Sequence, residues 1–240
     1  MLEQLQGSAA MLGYELTPER LSLFERFRAE ILDWNERVNL TSITDPDDVE
    51  VRHFLDSLTV LAAIEAREPS GAGLRILDVG SGAGLPGVPL AIVLPNARVT
   101  LLEATGKKVA FLKHTVELLS LGNTSVLLGR AEDRGQSHSH RESYDLVVAR
   151  GVAPLAALAE LCLPFVAIGG RFVAMKKGDL ATELAASAVA IARLGGAPAL
   201  IIKVTLPLLA DNRCLVVSDK SAPTPARYPR RPGMPAKYPL

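Results

Sequence analysis

The feature that most constrains the fold is a glycine-rich stretch that follows directly after an apolar run. Residues 76–91 read ILDVGSGAGLPGVPLA, with glycines at positions 80, 82, 84 and 87 behind the acid Asp78. Glycine permits a left-handed backbone and lets a ligand approach the main chain, so the pattern is typical of a strand-to-helix turn in an α/β fold. The stretch therefore predicts a ligand-binding turn at the carboxyl end of the first strand.

Apolar runs and helical patterns alternate along the rest of the chain. This alternation predicts an α/β fold with a seven-stranded, mostly parallel sheet and helices on both faces. A short turn at Asp211 and Asn212 separates the last two runs and predicts an antiparallel hairpin at one edge. The predicted strands are residues 74–79, 97–103, 124–128, 144–149, 170–176, 200–206 and 214–218; the predicted helices between them are 86–94, 107–121, 154–166 and 180–194.

The two ends of the chain differ from this alternating region. Thr17 and Pro18 are typical of a helix start, and they precede a helical apolar pattern over residues 21–34; a second helix is predicted over residues 49–66. We therefore predict an N-terminal helical cap (residues 1–70), with a linker at 69–73, and a central domain (residues 71–219). Residues 220–240 contain six prolines and five basic residues but no acid, which predicts an extended basic tail.

Composition excludes several classes of protein. The chain has 240 residues, of which 48% are hydrophobic, and its 26 basic and 26 acidic residues balance, which argues against non-specific coating of nucleic acid. The N-terminus does not resemble a signal peptide, and the longest apolar run falls short of the ~20 residues of a membrane span, so we expect a cytoplasmic protein and no membrane partner. Scattered histidines and two cysteines, Cys162 and Cys214, predict no metal site and no disulfide framework.

Asp78 separates two interpretations of the glycine turn. Gly82-x-Gly84-x-x-Gly87 matches the dinucleotide fingerprint, so an NAD-dependent oxidoreductase or a non-catalytic nucleotide-binding module would fit the glycines. A carboxylate two residues before Gly80 would repel a pyrophosphate at the helix N-terminus. S-adenosylmethionine carries a sulfonium and an ammonium group and no phosphate, so Asp78 favours this cofactor.

Two further acids follow predicted strands. Glu103 ends the second strand about 20 residues after the turn, where a carboxylate accepts hydrogen bonds from ribose hydroxyls. Glu132, preceded by Ala131, follows the third strand, near the expected position of an adenine edge. Because ligands of such sheets bind at the carboxyl ends of the strands, these acids and Asp78 predict one binding site.

Four motifs resemble a known family. They are NLTS at 39–42, VRHFLDSL at 51–58, DVGSGAGLPGVPLA at 78–91 and YPRRPGMPAKYPL at 228–240. Over residues 35–240 the chain resembles the bacterial small-subunit (16S) ribosomal RNA guanine-N7 methyltransferases, also called glucose-inhibited division protein B. The resemblance implies a Rossmann-like class I methyltransferase fold, S-adenosyl-L-methionine as donor, and as partner 16S ribosomal RNA, naked or in an assembling small subunit. With Asp78 and Gly82 of the turn, it implies cofactor contacts by Gly80, Leu85, Glu103, Ala104, Thr105, Ala131, Glu132 and Arg150.

The implied reaction needs no general base, since neutral guanine has an unprotonated lone pair at N7. Positioning and electrostatics should therefore dominate catalysis. His53 has two interpretations: it positions the acceptor, or it is a buried residue paired with Asp56. For the oligomeric state, we expect a monomer. Gly151 and the doubled Lys176 and Lys177 depart from the family pattern at the acceptor side. Candidates for positioning the acceptor are Arg150, Lys176, Arg130 and His53; candidates for RNA binding are Arg52, Lys177, Arg227, Arg230 and Arg231.

Overall fold

A single seven-stranded sheet organises the molecule. The computed structural model describes residues 2–64, 73–205, 208 and 212–240. The strand order is β3-β2-β1-β4-β5-β7-β6, with β7 antiparallel to both of its neighbours and the other pairs parallel. The strands are β1 (Arg75–Val79), β2 (Arg98–Glu103), β3 (Thr124–Leu128), β4 (Tyr144–Arg150), β5 (Val166–Lys177), β6 (Leu200–Lys203) and β7 (Arg213–Asp219).

The predicted strands and the edge hairpin are therefore confirmed within the described residues. β5 begins four residues earlier than predicted, at Val166, and β6 ends at Lys203. Asp211 of the predicted turn, and the predicted linker at 69–73 apart from Gly73, lie outside the described residues.

Helices cover both faces of the sheet. Neighbouring strand residues Ile76 and Leu77 belong to different apolar clusters, so the two clusters lie on opposite faces. One cluster contains the cap helices with α6 and α7; the other contains α9, α10 and part of the tail. The helices are α1 (Glu3–Met11), α2 (Pro18–Val38), α3 (Pro46–Val49), α4 (Asp56–Leu58), α5 (Leu61–Ile64), α6 (Gly87–Val93), α7 (Gly106–Leu118), α8 (Ala131–Gln136), α9 (Leu155–Cys162), α10 (Ala181–Arg193) and α11 (Met234–Lys237).

The N-terminal cap packs into the first cluster through aromatic side chains. The ring of Phe54 lies 5.1 Å from that of Phe24 and 5.4 Å from that of Phe27. The helix predicted over residues 49–66 is interrupted by a π-helix, Glu50–Leu55. α1 was not predicted, and the buried carboxylate of Glu50 accepts a hydrogen bond from the amide of its Leu5 at 2.7 Å.

The C-terminal tail is packed against the domain. Lys220 is buried, and its ammonium donates to the carbonyl of Leu163 at 2.7 Å and to the hydroxyl of Thr224. Burial lowers the pKa of Lys220 to about 8. The tail contains turns at residues 226–227 and 232–233 and ends in the single helical turn of α11, so the prediction of an extended, non-helical tail is wrong for its last part. The tail is therefore a structural part of the second core as well as a basic segment.

Candidate active site

The glycines of the turn have different tasks. A Cβ atom added to Gly87 would lie 2.2 Å from Cδ2 of Leu101 and 2.8 Å from Oδ2 of Asp78, so this glycine allows α6 to pack on the sheet. Gly82 has a left-handed φ of 57°, and an added Cβ would meet nothing closer than the carbonyl of Gly80 at 3.8 Å. The open space above Gly82 leaves its backbone accessible to a ligand.

Asp78 lies beneath the turn, fully buried. Its Oδ2 accepts a hydrogen bond from the amide of Gly87 at 3.0 Å, while Oδ1 has no hydrogen-bond partner among the described residues. Burial raises the pKa of Asp78 to about 7. A carboxyl group in this state would be stabilised as an anion by a cation placed above the turn, which fits a sulfonium or ammonium group.

A cleft of about 310 Å³ opens at the carboxyl ends of β1, β2 and β3. We call it the donor cleft. All ten predicted cofactor contacts stay predictions, and four of these residues, Leu85, Gly82, Asp78 and Arg150, do not line the cleft. It brings together six of the predicted cofactor residues: Gly80, Glu103, Ala104, Thr105, Ala131 and Glu132. Arg130, predicted as an acceptor residue, also lines it, as do Val152, Ala153, Gly233 and Ala236, which sequence reasoning missed.

The carboxylate of Glu103 holds the turn and the next helix start together. Its Oε2 accepts from the amide of Gly82 at 3.0 Å, and its Oε1 accepts from the amide of Thr105 at 2.7 Å. Each oxygen keeps a second lone pair, so Glu103 can still accept hydrogen bonds from two ribose hydroxyls. Glu132 accepts from the amide of Gly233 at 2.9 Å, which makes the tail part of the wall of the donor cleft.

A second cleft of about 350 Å³ adjoins the first at Ala153 and lies at the ends of β4 and β5. We call it the acceptor cleft. Its floor carries Asp56 of the cap, which is buried and binds Arg150 at 3.0 Å and Arg213 at 2.6 Å. The charged side chains that line it are four cations, Arg150, Lys176, Lys177 and Arg213, and two carboxylates, Asp56 and Glu183.

His53 belongs to the cap and contacts Arg150, one of the residues that line the acceptor cleft. It is buried, its Nε2 lies 2.8 Å from the hydroxyl of Thr41, and its Nδ1 lies 3.1 Å from the carbonyl of Arg52 and 3.4 Å from Nη2 of Arg150. Burial and the charge of Arg150 lower the pKa of His53 to about 4, so the ring is neutral. The interpretation of His53 as a partner of Asp56 is wrong, because Arg150 and Arg213 take that carboxylate.

The remaining basic candidates divide by their contacts. Lys176 donates to Glu183 at 2.8 Å and to the carbonyl of Ala153 at 3.2 Å. Arg230 donates to the fully buried Glu160 at 2.6 Å, which gives this arginine a structural task within the tail. The predicted RNA residues whose side chains are exposed are Arg52, Lys177, Arg227 and Arg231; of these, Arg52 pairs with Asp48 and Arg227 lies over the ring of Tyr228.

Two kinds of feature are absent from the described residues: a membrane-spanning helix and a metal site. No helix among the described residues is long and apolar enough to cross a membrane. In the same part of the chain, no group of three or more His, Cys, Asp or Glu side chains could hold a metal ion.

Solved structures with a similar architecture confirm the predicted fold class. Magnesium protoporphyrin IX methyltransferase from Synechocystis PCC 6803, with bound S-adenosylmethionine, aligns with a TM-score of 0.57 at 16% identity, covering 87% of this chain and all of that one. An O-methyltransferase from Thermotoga maritima aligns with a TM-score of 0.53 at 15% identity, covering 81% of this chain and 72% of that one. The fold is therefore the Rossmann-like fold of these methyltransferases.

Sequence comparison gives the family. Residues 20–208 match GidB, described as rRNA small subunit methyltransferase G. Proteins named ribosomal RNA small subunit methyltransferase G from Dehalococcoides mccartyi and Roseiflexus sp. are 48% and 46% identical over the full length of both chains. The chain belongs to this methyltransferase family. The NAD-dependent oxidoreductase suggested by the glycines alone is therefore wrong, and the antiparallel β7 also departs from the dinucleotide-binding strand order.

Proposed function

We propose that this protein transfers a methyl group from S-adenosylmethionine to N7 of a guanine in 16S ribosomal RNA of the small subunit. The observation that carries the proposal is the pair of clefts that meet at Ala153. One is lined by Glu103 and Glu132, which suit ribose and adenine groups, and the other carries four cations against two carboxylates. An excess of positive charge beside a methyl-donor site suits an RNA acceptor.

The proposed methyl transfer requires little from the protein beyond correct positioning of the two reactants. When bound, S-adenosylmethionine would supply a methyl group on a positively charged sulfur; the N7 lone pair of guanine would form the new N–CH3 bond as the S–CH3 bond breaks and S-adenosylhomocysteine leaves. No proton has to leave N7, which agrees with a neutral, enclosed His53 whose ring nitrogens already contact Thr41 and Arg52. The chain's own task is to hold the base in line and to exclude water.

Arg150 and Lys176 are the residues best placed to orient the acceptor. Arg150 is fixed by Asp56, and Lys176 is fixed by Glu183 and by the carbonyl of Ala153, the residue shared by both clefts. Cationic donors of this kind recognise the O6 and N7 edge of guanine. Because N7 must stay open to the methyl group, we assign these cations to O6 and to neighbouring phosphates.

RNA beyond the target base would contact the exposed basic residues. We propose Arg52, Lys177, Arg227 and Arg231 as contacts to the phosphate backbone, since each side chain is exposed.

The test is methyl transfer with labelled S-adenosylmethionine to small subunits, and to naked 16S RNA, from cells that lack this protein. We expect label in 7-methylguanosine after complete digestion of the RNA, with Lys176→Ala reducing the rate and Arg193→Ala, an exposed arginine at the end of α10, leaving it unchanged. Label in another nucleoside, or no transfer to either substrate, would refute the proposal. The better of the two substrates identifies the assembly stage.

A further inference from the structure

Glu183 is a charged residue of the acceptor cleft that the sequence analysis did not select. It lies in the first turn of α10 and faces the cleft beside Lys176. We propose that Glu183 and Lys176 together form a subsite for the Watson–Crick edge of the acceptor guanine. This inference rests on the proposed function and assigns the specificity of the same site.

The carboxylate of Glu183 is fixed by two donors on one oxygen. Oε1 accepts from the amide of Leu155 at 2.7 Å and from the ammonium of Lys176 at 2.8 Å. Oε2 has no hydrogen-bond partner among the residues that the structure describes, and the side chain is 30% exposed. The side chain is thus oriented in advance, with acceptor capacity left over.

Glu183 is an anion at neutral pH. Partial burial alone would raise its pKa, but the hydrogen bonds from Lys176 and from the amide of Leu155 hold the pKa of this carboxyl below its ordinary value. An ionised carboxylate only accepts hydrogen bonds. The subsite therefore selects for donors on the base.

The pair of side chains complements guanine and opposes adenine. The Watson–Crick edge of guanine presents an acceptor, O6, followed by two donors, the N1 hydrogen and the N2 amino group. Lys176 offers a donor next to the carboxylate oxygens of Glu183, in the matching order. Adenine presents a donor, N6, followed by an acceptor, N1, and would place like groups against each other.

The other carboxylate of the cleft does not suit this task. Asp56 is only 2% exposed, and its Oδ2 binds both Arg150 and Arg213. The orientation of the base also agrees with Glu183. N7 lies on the opposite side of guanine from N1 and N2, so a base read by Glu183 directs N7 away from α10, toward the donor cleft.

The experiment compares guanine with inosine, which lacks the N2 amino group, at the methylated position of a ligated 16S RNA. For the wild-type protein we expect kcat/KM to be roughly tenfold or more higher for guanine than for inosine, since a well-formed set of base contacts discriminates by about that factor. In Glu183→Gln the preference should fall to within about threefold, because guanine loses the contacts of two donors, N1–H and the N2 amino group, whereas inosine loses only that of N1–H. The affinity for S-adenosylmethionine should be unchanged.

Glu117→Gln is the matched control, an exposed glutamate on α7 that should retain the full preference for guanine. Equal kcat/KM for guanine and inosine in the wild-type protein overturns the inference without any variant, so the test does not depend on the folding of Glu183→Gln. An unchanged preference in a folded Glu183→Gln protein overturns it as well. In both cases 7-methylguanosine still forms, whereas failure of the proposed function would give none.

Discussion

At the scale of single residues, we propose that two acids at the edge of the sheet act on the cofactor in different ways. Glu103 lines the donor cleft and keeps lone pairs for ligand hydroxyls. Asp78 lies beneath the turn, outside the cleft, with one oxygen that has no partner among the described residues. We propose that the first binds the cofactor directly and that the second acts through its charge.

The buried charge of Asp78 predicts that cofactor binding depends on pH. Burial gives the free carboxyl a pKa of about 7, and a cationic cofactor above the turn would lower that pKa. Binding would then release a proton below pH 7, so affinity for S-adenosylmethionine should rise between pH 5.5 and 7, by at most about tenfold per unit. Calorimetric titrations in buffers of different ionisation enthalpy measure both the affinity and the released proton.

Asp78→Asn should remove this pH dependence and weaken binding at pH 7 by ~1–3 kcal/mol, the usual cost of losing a charge-assisted partner. Asp133→Asn, an exposed acid of α8, is the control and should keep the wild-type slope. An affinity of wild-type protein that does not change with pH would show that Asp78 acts only on the fold.

At the scale of elements, two glycine substitutions in the turn between β1 and α6 should differ in effect. One should mainly lower stability, and the other should mainly lower cofactor affinity. Gly87→Ala would place a methyl group against Leu101 and Asp78, and overpacking of this kind costs about 1–3 kcal/mol of stability. Gly82→Ala meets open space, so it should cost only ~1 kcal/mol for the left-handed backbone and should mainly weaken cofactor binding. Urea denaturation measures the loss of stability in each variant, and calorimetric titration measures the loss of cofactor affinity. The same ratio of the two losses in both variants would contradict this assignment.

Sequence reasoning predicted the elements with strong local patterns. The seven strands lie in the apolar runs that predicted them. The predicted helix start is also correct, since the hydroxyl of Thr17 accepts from the amide of Arg20 at 3.4 Å and caps α2. The short elements were missed because tertiary contacts hold them: α1 binds Glu50 of the cap, and the π-helix forms where His53 and Arg52 meet Arg150 of β4. Such pairings between distant parts of the chain leave no periodic signal.

The candidate site follows the same rule. Gly80, Glu103 and Glu132 were found because strand ends share one edge of the sheet. Gly233 and Glu183 were missed, since the first reaches the donor cleft only through the folded tail and the second lies on a helix that begins after the fifth strand. Only the folded structure brings these residues to the two clefts.

At the scale of the whole molecule, the tail predicts a stability effect at Arg230. Removing this side chain would leave Glu160 buried and unpaired, and breaking a buried pair costs about 3 kcal/mol or more. We expect Arg230→Ala to unfold at clearly lower urea concentration, and Glu160→Gln combined with Arg230→Ala to recover part of the loss. Arg231→Ala is the matched neighbour, exposed and predicted to leave stability unchanged; equal midpoints for both single variants would contradict a structural task for Arg230.

The balance of charges predicts how the whole molecule binds RNA. With 26 basic and 26 acidic residues, the protein has no excess charge, so affinity must come from a few exposed cations around the acceptor cleft and on the tail. Each cation that contacts a phosphate releases about one counterion, so Lys177→Ala and Arg231→Ala should each lower the slope of log K against log salt by about one. Filter-binding titrations across a salt series measure this slope, with Arg193→Ala as the control that keeps it. A slope unchanged in both variants would place the RNA on another surface, and a changed slope in only one of them would show which side of the clefts the backbone follows.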